Sequence, residues 1–156
     1  MLRLGLLVAA LVALLDQASK WVVVAALSGP PHAVRVTPFF DLVLHWNRGI
    51  SFGLFDTAGE AARWAFVLVS LAITAGLVWW LKKAERTFLA LALALVVGGA
   101  VGNVIDRLRV GAVADFLSFH AAGYYWPAFN VADSAITVGV GMILIDSLFS
   151  RPRSSK

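Results

Sequence analysis

Between Gly98 and Asp133 the chain concentrates groups that can bind and move protons. This stretch of 36 residues holds three carboxylates (Asp106, Asp115, Asp133), two asparagines (Asn103, Asn130) and two arginines (Arg107, Arg109), with apolar sequence on both sides. Polar groups at the edge of hydrocarbon are costly, and each is a functional candidate by default. Asp115 and Asp133 are the pair suited to chemistry. Two carboxylates brought close in low dielectric cannot both ionise easily, so one holds a proton near neutral pH. Such a pair can hydrolyse an amide. The ionised member takes a proton from the attacking water, and the protonated member donates to the carbonyl oxygen. The pair titrates as a unit, so base and acid are not assigned to individual residues. Two acidic residues alone do not define an enzyme, since structural carboxylates are common near membrane edges.

The elements that position this pair must be membrane helices. The chain has 156 residues, of which 60% are hydrophobic and 14% charged. A soluble domain carries about 25% charged residues, so the solvent here is lipid. The length allows a single integral membrane domain, residues 1–156. A net charge of +4 need not mean nucleic acid, because the basic residues sit at span ends as topology signals; no nucleic-acid partner is expected. Without cysteine there is no disulfide, thiol nucleophile or thiolate metal site, and no acceptor for lipid modification. His32, His45 and His120 lack metal-ligand spacing. No metal and no cofactor are expected.

Four apolar runs predict four spans, at residues 4–27, 61–81, 87–105 and 131–149. The first starts like a secretory signal peptide, but it resumes after Lys20 and becomes long enough to cross about 30 Å; it is read as a retained helix. Asp16 and Lys20 lie within it at i and i+4, on one face, as a supporting ion pair. Ser19 beside Lys20 raises a serine–lysine peptidase, yet adjacent helical positions point about 100° apart. After GPP at Gly29 to Pro31, Leu42, Leu44 and Trp46 alternate with Val43, His45 and Asn47. A turn at Asn47 to Gly49 follows, and Ile50, Phe52 and Leu54 alternate again. Period two predicts short strands, hence a small β-element between the first and second helices. It can pack on helix ends or meet lipid tails or an acylated substrate. Gly98, Gly99 and Gly102 allow close helix packing.

If there are four spans, Arg3, Lys82, Lys83, Arg86, Arg151, Arg153 and Lys156 share one side in very short segments. Arg35, Arg48, Arg63, Arg107 and Arg109 are spread over longer loops on the other. The density of positive charge predicts both termini on the cytoplasmic side, with Asp115 and Asp133 near the outer boundary. Asn130, three before Asp133, can share its helical face. Asn103 and Asp106 repeat that spacing. Asp106 beside Arg107 reads as a helix-end ion pair, while Arg107 and Arg109 can instead meet a lipid phosphate. Asp146 is placed at the opposite interface, within reach of Arg151.

The ordered blocks DQASK (Asp16 to Lys20), NRGISFG (Asn47 to Gly53), GGAVGNVIDR (Gly98 to Arg107), VADF (Val113 to Phe116) and FNVAD (Phe129 to Asp133) resemble the lipoprotein signal peptidase (signal peptidase II) family over most of the chain. Ile50-Ser51 is a mild departure, where small alanines are frequent. The resemblance implies an all-α membrane protein of four transmembrane helices with a small extracytoplasmic β-element. It implies an aspartyl endopeptidase of the bacterial inner membrane, active near the periplasmic face. Its partners would be lipid-modified prolipoproteins and membrane lipid, with cleavage before the diacylglyceryl-modified cysteine. It places the catalytic aspartates at Asp115 and Asp133. It puts further substrate-binding or supporting positions at Asp16, Lys20, Asn47, Gly49, Asn103, Arg107 and Asn130. It also favours substrate contact for the β-element. The main alternative is a proton-coupled small membrane transporter using Asp16, Asp115 and Asp133 as a relay. Transport sites lie near the bilayer midplane between repeated halves, and no repeat is seen. A non-enzymatic scaffold would not need paired outer carboxylates.

Overall fold

A computed structural model of the chain describes residues 1–49 and 59–149. Four helices are long and apolar enough to cross a membrane: α1 (Leu2–Leu27), α2 (Gly59–Lys83), α3 (Thr87–Val110) and α4 (Val131–Phe149). Strands β1 (Ala33–Thr37) and β2 (Phe40–Asn47) follow α1, and β3 (Val113–Ala121) and β4 (Tyr124–Tyr125) follow α3. This is the four-span bundle with a small β-element that the hydropathy pattern predicts.

The bundle is built around α3, which packs against α1, α2 and α4. Its sequence explains why. Apolar residues surround the helix, but small ones recur on the faces that meet neighbours. A Cβ added at Gly98 would come within 2.6 Å of the Ala9 carbonyl oxygen on α1. One at Gly99 would strike the Ala132 carbonyl oxygen on α4. Close backbone approach of this kind replaces the hydrophobic drive that lipid removes between helices. The face α1 turns inward is also small near its start, with Gly5, Ala9 and Ala13 buried, and then polar, with Asp16 and Lys20 buried.

Beyond shifts of two residues at the ends of α1 and α2, the architecture differs from the sequence reading in two respects. Helix α3 continues past residue 105 to Val110, because nothing in Asp106 to Val110 breaks a helix. Gly111 ends it at φ +79°, where its N–H donates to the Arg107 carbonyl at 3.2 Å, a left-handed cap that favours glycine. The β-element is also larger than the segment between α1 and α2. It forms a four-stranded antiparallel sheet in the order β1-β2-β3-β4. The expected second strand, at residues 50–54, lies outside the described residues. The described partners of β2 are instead β1, which precedes it, and β3, which arrives from beyond α3. The sheet thus ties together the two connections at one end of the bundle.

Gly102 allows a test of this packing. A Cβ there would lie 2.5 Å from Asp16 Oδ2, whereas one at Gly76 meets nothing within 4 Å. Gly102→Ala should displace the Asp16 carboxylate and cost about 1–3 kcal/mol as overpacking. Gly76→Ala should be neutral or stabilising by up to about 1 kcal/mol through helix propensity. Thermal unfolding in detergent checks both; equal effects would show that the α1–α3 contact is not tight.

Candidate active site

The site is built on a buried cation. Lys20 is 4% exposed, and an ammonium has three donors. One goes to Asp16 Oδ2 on the same helix (2.8 Å) and one to Asp106 Oδ2 on α3 (2.8 Å). The third goes to Asn103 Oδ1 (3.0 Å). The i,i+4 pair of Asp16 and Lys20 therefore forms as predicted, within a larger cluster. Asp106 was expected to pair with its neighbour Arg107. Among the described residues its ion pair is with Lys20, since consecutive helical side chains diverge while the inward face of α3 meets α1. Asp106 also accepts from the Ala114 N–H (3.2 Å) and from Gln17 Nε2 (2.8 Å). Ser19 gives its hydroxyl to the Asp16 carbonyl at 2.8 Å, away from Lys20, which leaves the serine–lysine arrangement without its geometry.

From this cluster, hydrogen bonds lead to both Asp115 and Asp133. Lys20 occupies Asn103 Oδ1, so Asn103 Nδ2 is turned to Asp133 Oδ1 at 2.8 Å. Asp133 stands in the first turn of α4. Asn130 was expected on the same helical face; it is instead the residue before the helix, because its side chain caps it. Asn130 Oδ1 accepts the Asp133 N–H (2.9 Å), and Asp133 Oδ2 accepts the Asn130 N–H (3.3 Å). This is a reciprocal capping box with asparagine and aspartate in the two roles. With its oxygen committed, Asn130 points Nδ2 at Asp115 Oδ1, 2.7 Å away. Asn130 thus touches both carboxylates.

Asp115 is held on β3, opposite His45 of β2. Its second oxygen accepts from Asn47 Nδ2 at 2.9 Å. The orientation of that amide is fixed in turn: Asn47 Oδ1 accepts the Gly49 N–H at 2.8 Å. Gly49 sits at φ +83°, and a Cβ there would meet the Phe66 ring at 2.7 Å, so the turn requires glycine. Burial pushes the Asp115 carboxyl above the usual carboxylate range. The bonds from Asn47 and Asn130 and the charge of Lys20 oppose this rise, while the charge of Asp133 adds to it. Arg107 also faces this region, interacting with the charges of Asp133, Asp115 and Asp106, with its guanidinium 5.3 Å from the centre of the Phe66 ring.

All nine predicted positions are therefore drawn into or against one network. Gln17 and Asp106 belong to it although neither was singled out as a site residue. Gln17 is a polar residue inside a spanning helix, a signal that was available; the partner of Asp106 was not visible without the α1–α3 contact. Arg63 of α2 is a further addition. It donates to the Arg107 and Leu108 carbonyls at 2.6 and 2.8 Å, holding the end of α3 from which Asn103, Asp106 and Arg107 project. Asp146 lies at the other end of α4 and bonds Arg86; the Arg151 expected to reach it lies outside the described residues.

The class these features define is a multi-pass membrane protein whose polar groups converge at the sheet end of a four-helix bundle. The chain belongs to the signal peptidase II family: residues 8–149 match the family described as Signal peptidase (SPase) II, and it is accordingly a peptidase. It is 46% identical over 153 residues to the lipoprotein signal peptidase of Methylorubrum extorquens (strain PA1), covering 97% of this chain and 90% of that one. With the lipoprotein signal peptidase of Burkholderia mallei (strain SAVP1) the identity is 47% over 140 residues, 88% of this chain and 83% of that one. Two solved structures described as bacterial membrane enzymes share the fold. One has a TM-score of 0.80 at 31% identity, with 94% of each chain covered. The other has 0.76 at 30%, covering 97% of this chain and 94% of that one.

The Lys20 cluster predicts an asymmetry. Removing one partner of a buried ionic network costs about 3–5 kcal/mol, because the remaining charges are left uncompensated. Lys20→Met should lower the thermal midpoint strongly. Lys20→Met with Asp106→Asn, which removes one stranded charge, should recover part of the loss. If the double variant unfolds at a lower temperature than the single one, the charges are not coupled in this way.

Proposed function

We propose that this peptidase is an aspartyl endopeptidase that removes signal peptides from diacylglyceryl-modified bacterial prolipoproteins, cutting before the lipidated cysteine. The observation that carries the reading is the pairing of Asp115 and Asp133 through Asn130 and the Lys20–Asn103 arm. It supports a dyad whose members come from different elements and share one polar setting. The names of the relatives support the substrate.

The chemistry follows from the surroundings of the pair. Asp115, raised by burial, keeps its proton to higher pH than a free carboxyl does. A pair holding one proton therefore persists toward neutral pH, and one proton is what amide hydrolysis needs. Water is activated by the ionised oxygen while the protonated one donates to the scissile carbonyl. Asn47 and Asn130 hold Asp115, and Asn103 holds Asp133, so that little reorganisation is required at the moment of reaction. The cleft beside Asp115 is open and is lined by Leu44, His45, Asn47, Pro127 and Ala128 among others. That suits an extended peptide backbone. The lipid on the substrate contributes about 0.8 kcal/mol per buried CH₂, so the diacylglyceryl group should dominate recruitment from membrane lipid. Gly49 and Arg107 serve the site by shaping the turn beside Asp115 and by placing positive charge near the dyad.

In this reading the chain is one integral domain of the bacterial inner membrane. Both termini are cytoplasmic and the dyad lies near the periplasmic face. A reporter placed in the Lys82 to Arg86 loop should be active only in its cytoplasmic form; periplasmic activity there would reverse the orientation.

Asp115→Asn and Asp133→Asn test the dyad. Each keeps side-chain shape and removes ionisation, so each should abolish cleavage of a lipidated prolipoprotein, read as a gel shift. General acid–base groups contribute about 10²–10⁴-fold each, and groups acting as a unit are not additive. The double variant should therefore be scarcely worse than either single one. Asp146→Asn, at the far end of α4, should cleave nearly as the parent does. Thermal unfolding confirms that each variant is folded. A well-folded Asp115→Asn or Asp133→Asn retaining more than about a tenth of the parental rate, less loss than that range allows, would refute the two-aspartate mechanism.

A further inference from the structure

We propose that the prolipoprotein binds as an added β-strand beside residues 127–129, where the free N–H and carbonyl of Ala128 exchange hydrogen bonds with one residue of the substrate backbone. The inference rests on the peptidase reading and deepens it by naming the groups that hold the peptide against the dyad. Residues 126–129 run antiparallel to β3, on the side away from β2. The Trp126 N–H donates to the Phe119 carbonyl at 2.8 Å. Phe129 exchanges two bonds with Leu117, at 2.8 and 3.1 Å. Two steps along β3 therefore face three along this segment, and the ladder is interrupted at Pro127 and Ala128.

The interruption leaves backbone groups in the cleft. Pro127 has no N–H. Ala128 has both polar groups, and neither makes a hydrogen bond among the described residues. Both residues line the cleft that contains Asp115, together with Leu44, His45, Asn47 and Arg48. The cleft measures about 780 Å³, within the range of about 300–1,000 Å³ that ligand sites occupy. Unpaired strand backbone is a template for another extended chain, and main-chain pairing supplies affinity without reading side chains.

Ala128 offers one donor and one acceptor, which a residue of a second strand meets with its own carbonyl and N–H. Asn47, the side-chain amide of the lining, is already committed to Asp115 and to the Gly49 N–H. The location puts the pairing beside the chemistry. Ala128 stands two residues before Asn130, whose Nδ2 lies 2.7 Å from Asp115 Oδ1. At about 3.3 Å per residue, a strand laid along this segment passes Ala128 about two residues away from where it passes the dyad. Phe129, between them, turns its N–H and carbonyl to β3 and has none to give the substrate. One substrate residue, about two from the scissile bond, is therefore anchored, and its neighbour further from the cut is not.

A synthetic prolipoprotein peptide carrying the diacylglyceryl cysteine, cleaved by the full chain in detergent, tests this. Its backbone amides are N-methylated one at a time on both sides of the scissile bond, which removes a donor and leaves the side chain. Methylation at one residue, about two from the cut, should lower kcat/KM about tenfold, chiefly through KM, while its neighbour further out should stay within about twofold of the unmodified peptide. Ala128→Pro removes the donor on the enzyme side and should raise KM for the unmodified peptide about tenfold or less, as loss of one hydrogen bond implies. The methylated series leaves the enzyme unaltered, so it decides the matter even if that variant does not fold. Methylation tolerated at every position, or slowing cleavage alike at all of them, would overturn the added strand and leave the peptidase reading standing. A folded Ala128→Pro with the parental KM would overturn Ala128 as the anchor. An unmodified lipidated peptide left uncut by the parent would overturn both readings.

Discussion

A lysine buried inside a spanning helix must be neutralised, and most of the structure around the site satisfies that constraint. An unpaired ammonium in hydrocarbon is among the most costly groups a membrane helix can carry. The solution draws one carboxylate from the same helix, Asp16, and one from α3, Asp106, and adds the Asn103 carbonyl. Each of these partners then acts at a distance. Asp16 Oδ1 accepts the Ala132 N–H at the start of α4 (2.9 Å), so the charge pair on α1 also satisfies a backbone donor that the helix end would otherwise leave orphaned. Asp106 accepts the Ala114 N–H, one residue before Asp115. The cluster thereby fixes α1, α3, the start of α4 and the start of β3 relative to one another.

The same cluster sets the polarity of the hydrogen bonds that reach the carboxylates. An asparagine amide can be turned either way, and only its partners decide which atom points where. Lys20 claims the oxygen of Asn103, the Asp133 N–H that of Asn130, and the Gly49 N–H that of Asn47. All three amides are left presenting N–H groups to Asp115 or Asp133. Three asparagines thus act as directional spacers between positive or backbone donors and the two acids. Replacing any one of their outer partners would free an amide to flip and turn an acceptor toward a carboxylate.

Much of this was legible in the sequence, and what was not has a physical pattern. The spans follow from hydropathy, because lipid demands apolar length. The polar positions were legible as individually costly groups in apolar surroundings, and the ordered motifs connected them to a family. Partnerships between helices were not. Nothing local distinguishes Asp106 paired with Arg107 from Asp106 paired with Lys20; the choice is made by the glycine-mediated approach of α1 to α3. Asn130 as a cap was concealed for the same reason that made it look helical, since a capping box and a shared helical face both use a spacing of three. The strand at Ala33–Thr37 was hidden by its brevity and by flanking prolines. The pairing of β2 with β3 was hidden by the two helices that separate them in the chain.

The sheet contains the least visible feature, and it decides which side chains meet Asp115. Strict alternation puts Leu42, Leu44 and Trp46 on one face of β2 and Val43, His45 and Asn47 on the other. Leu42 pairs with Leu117 of β3, so an uninterrupted ladder would set Leu44 opposite Asp115 and turn Asn47 to the far side. The register shifts between Leu42 and His45. Three steps along β2 match two along β3, and the extra residue reverses the parity of everything beyond it. His45 then stands opposite Asp115 and Trp46 opposite Ala114. Asn47, two residues on from His45 and on the same face, reaches Asp115 diagonally. One inserted residue thus moves an amide donor onto the carboxylate and moves an indole to the other face, where it lines the cavity beside Lys20 and Arg109. Period-two reading identifies the strand correctly and assigns its faces wrongly beyond the bulge, because a bulge leaves no trace in alternation and is fixed only by the partner strand.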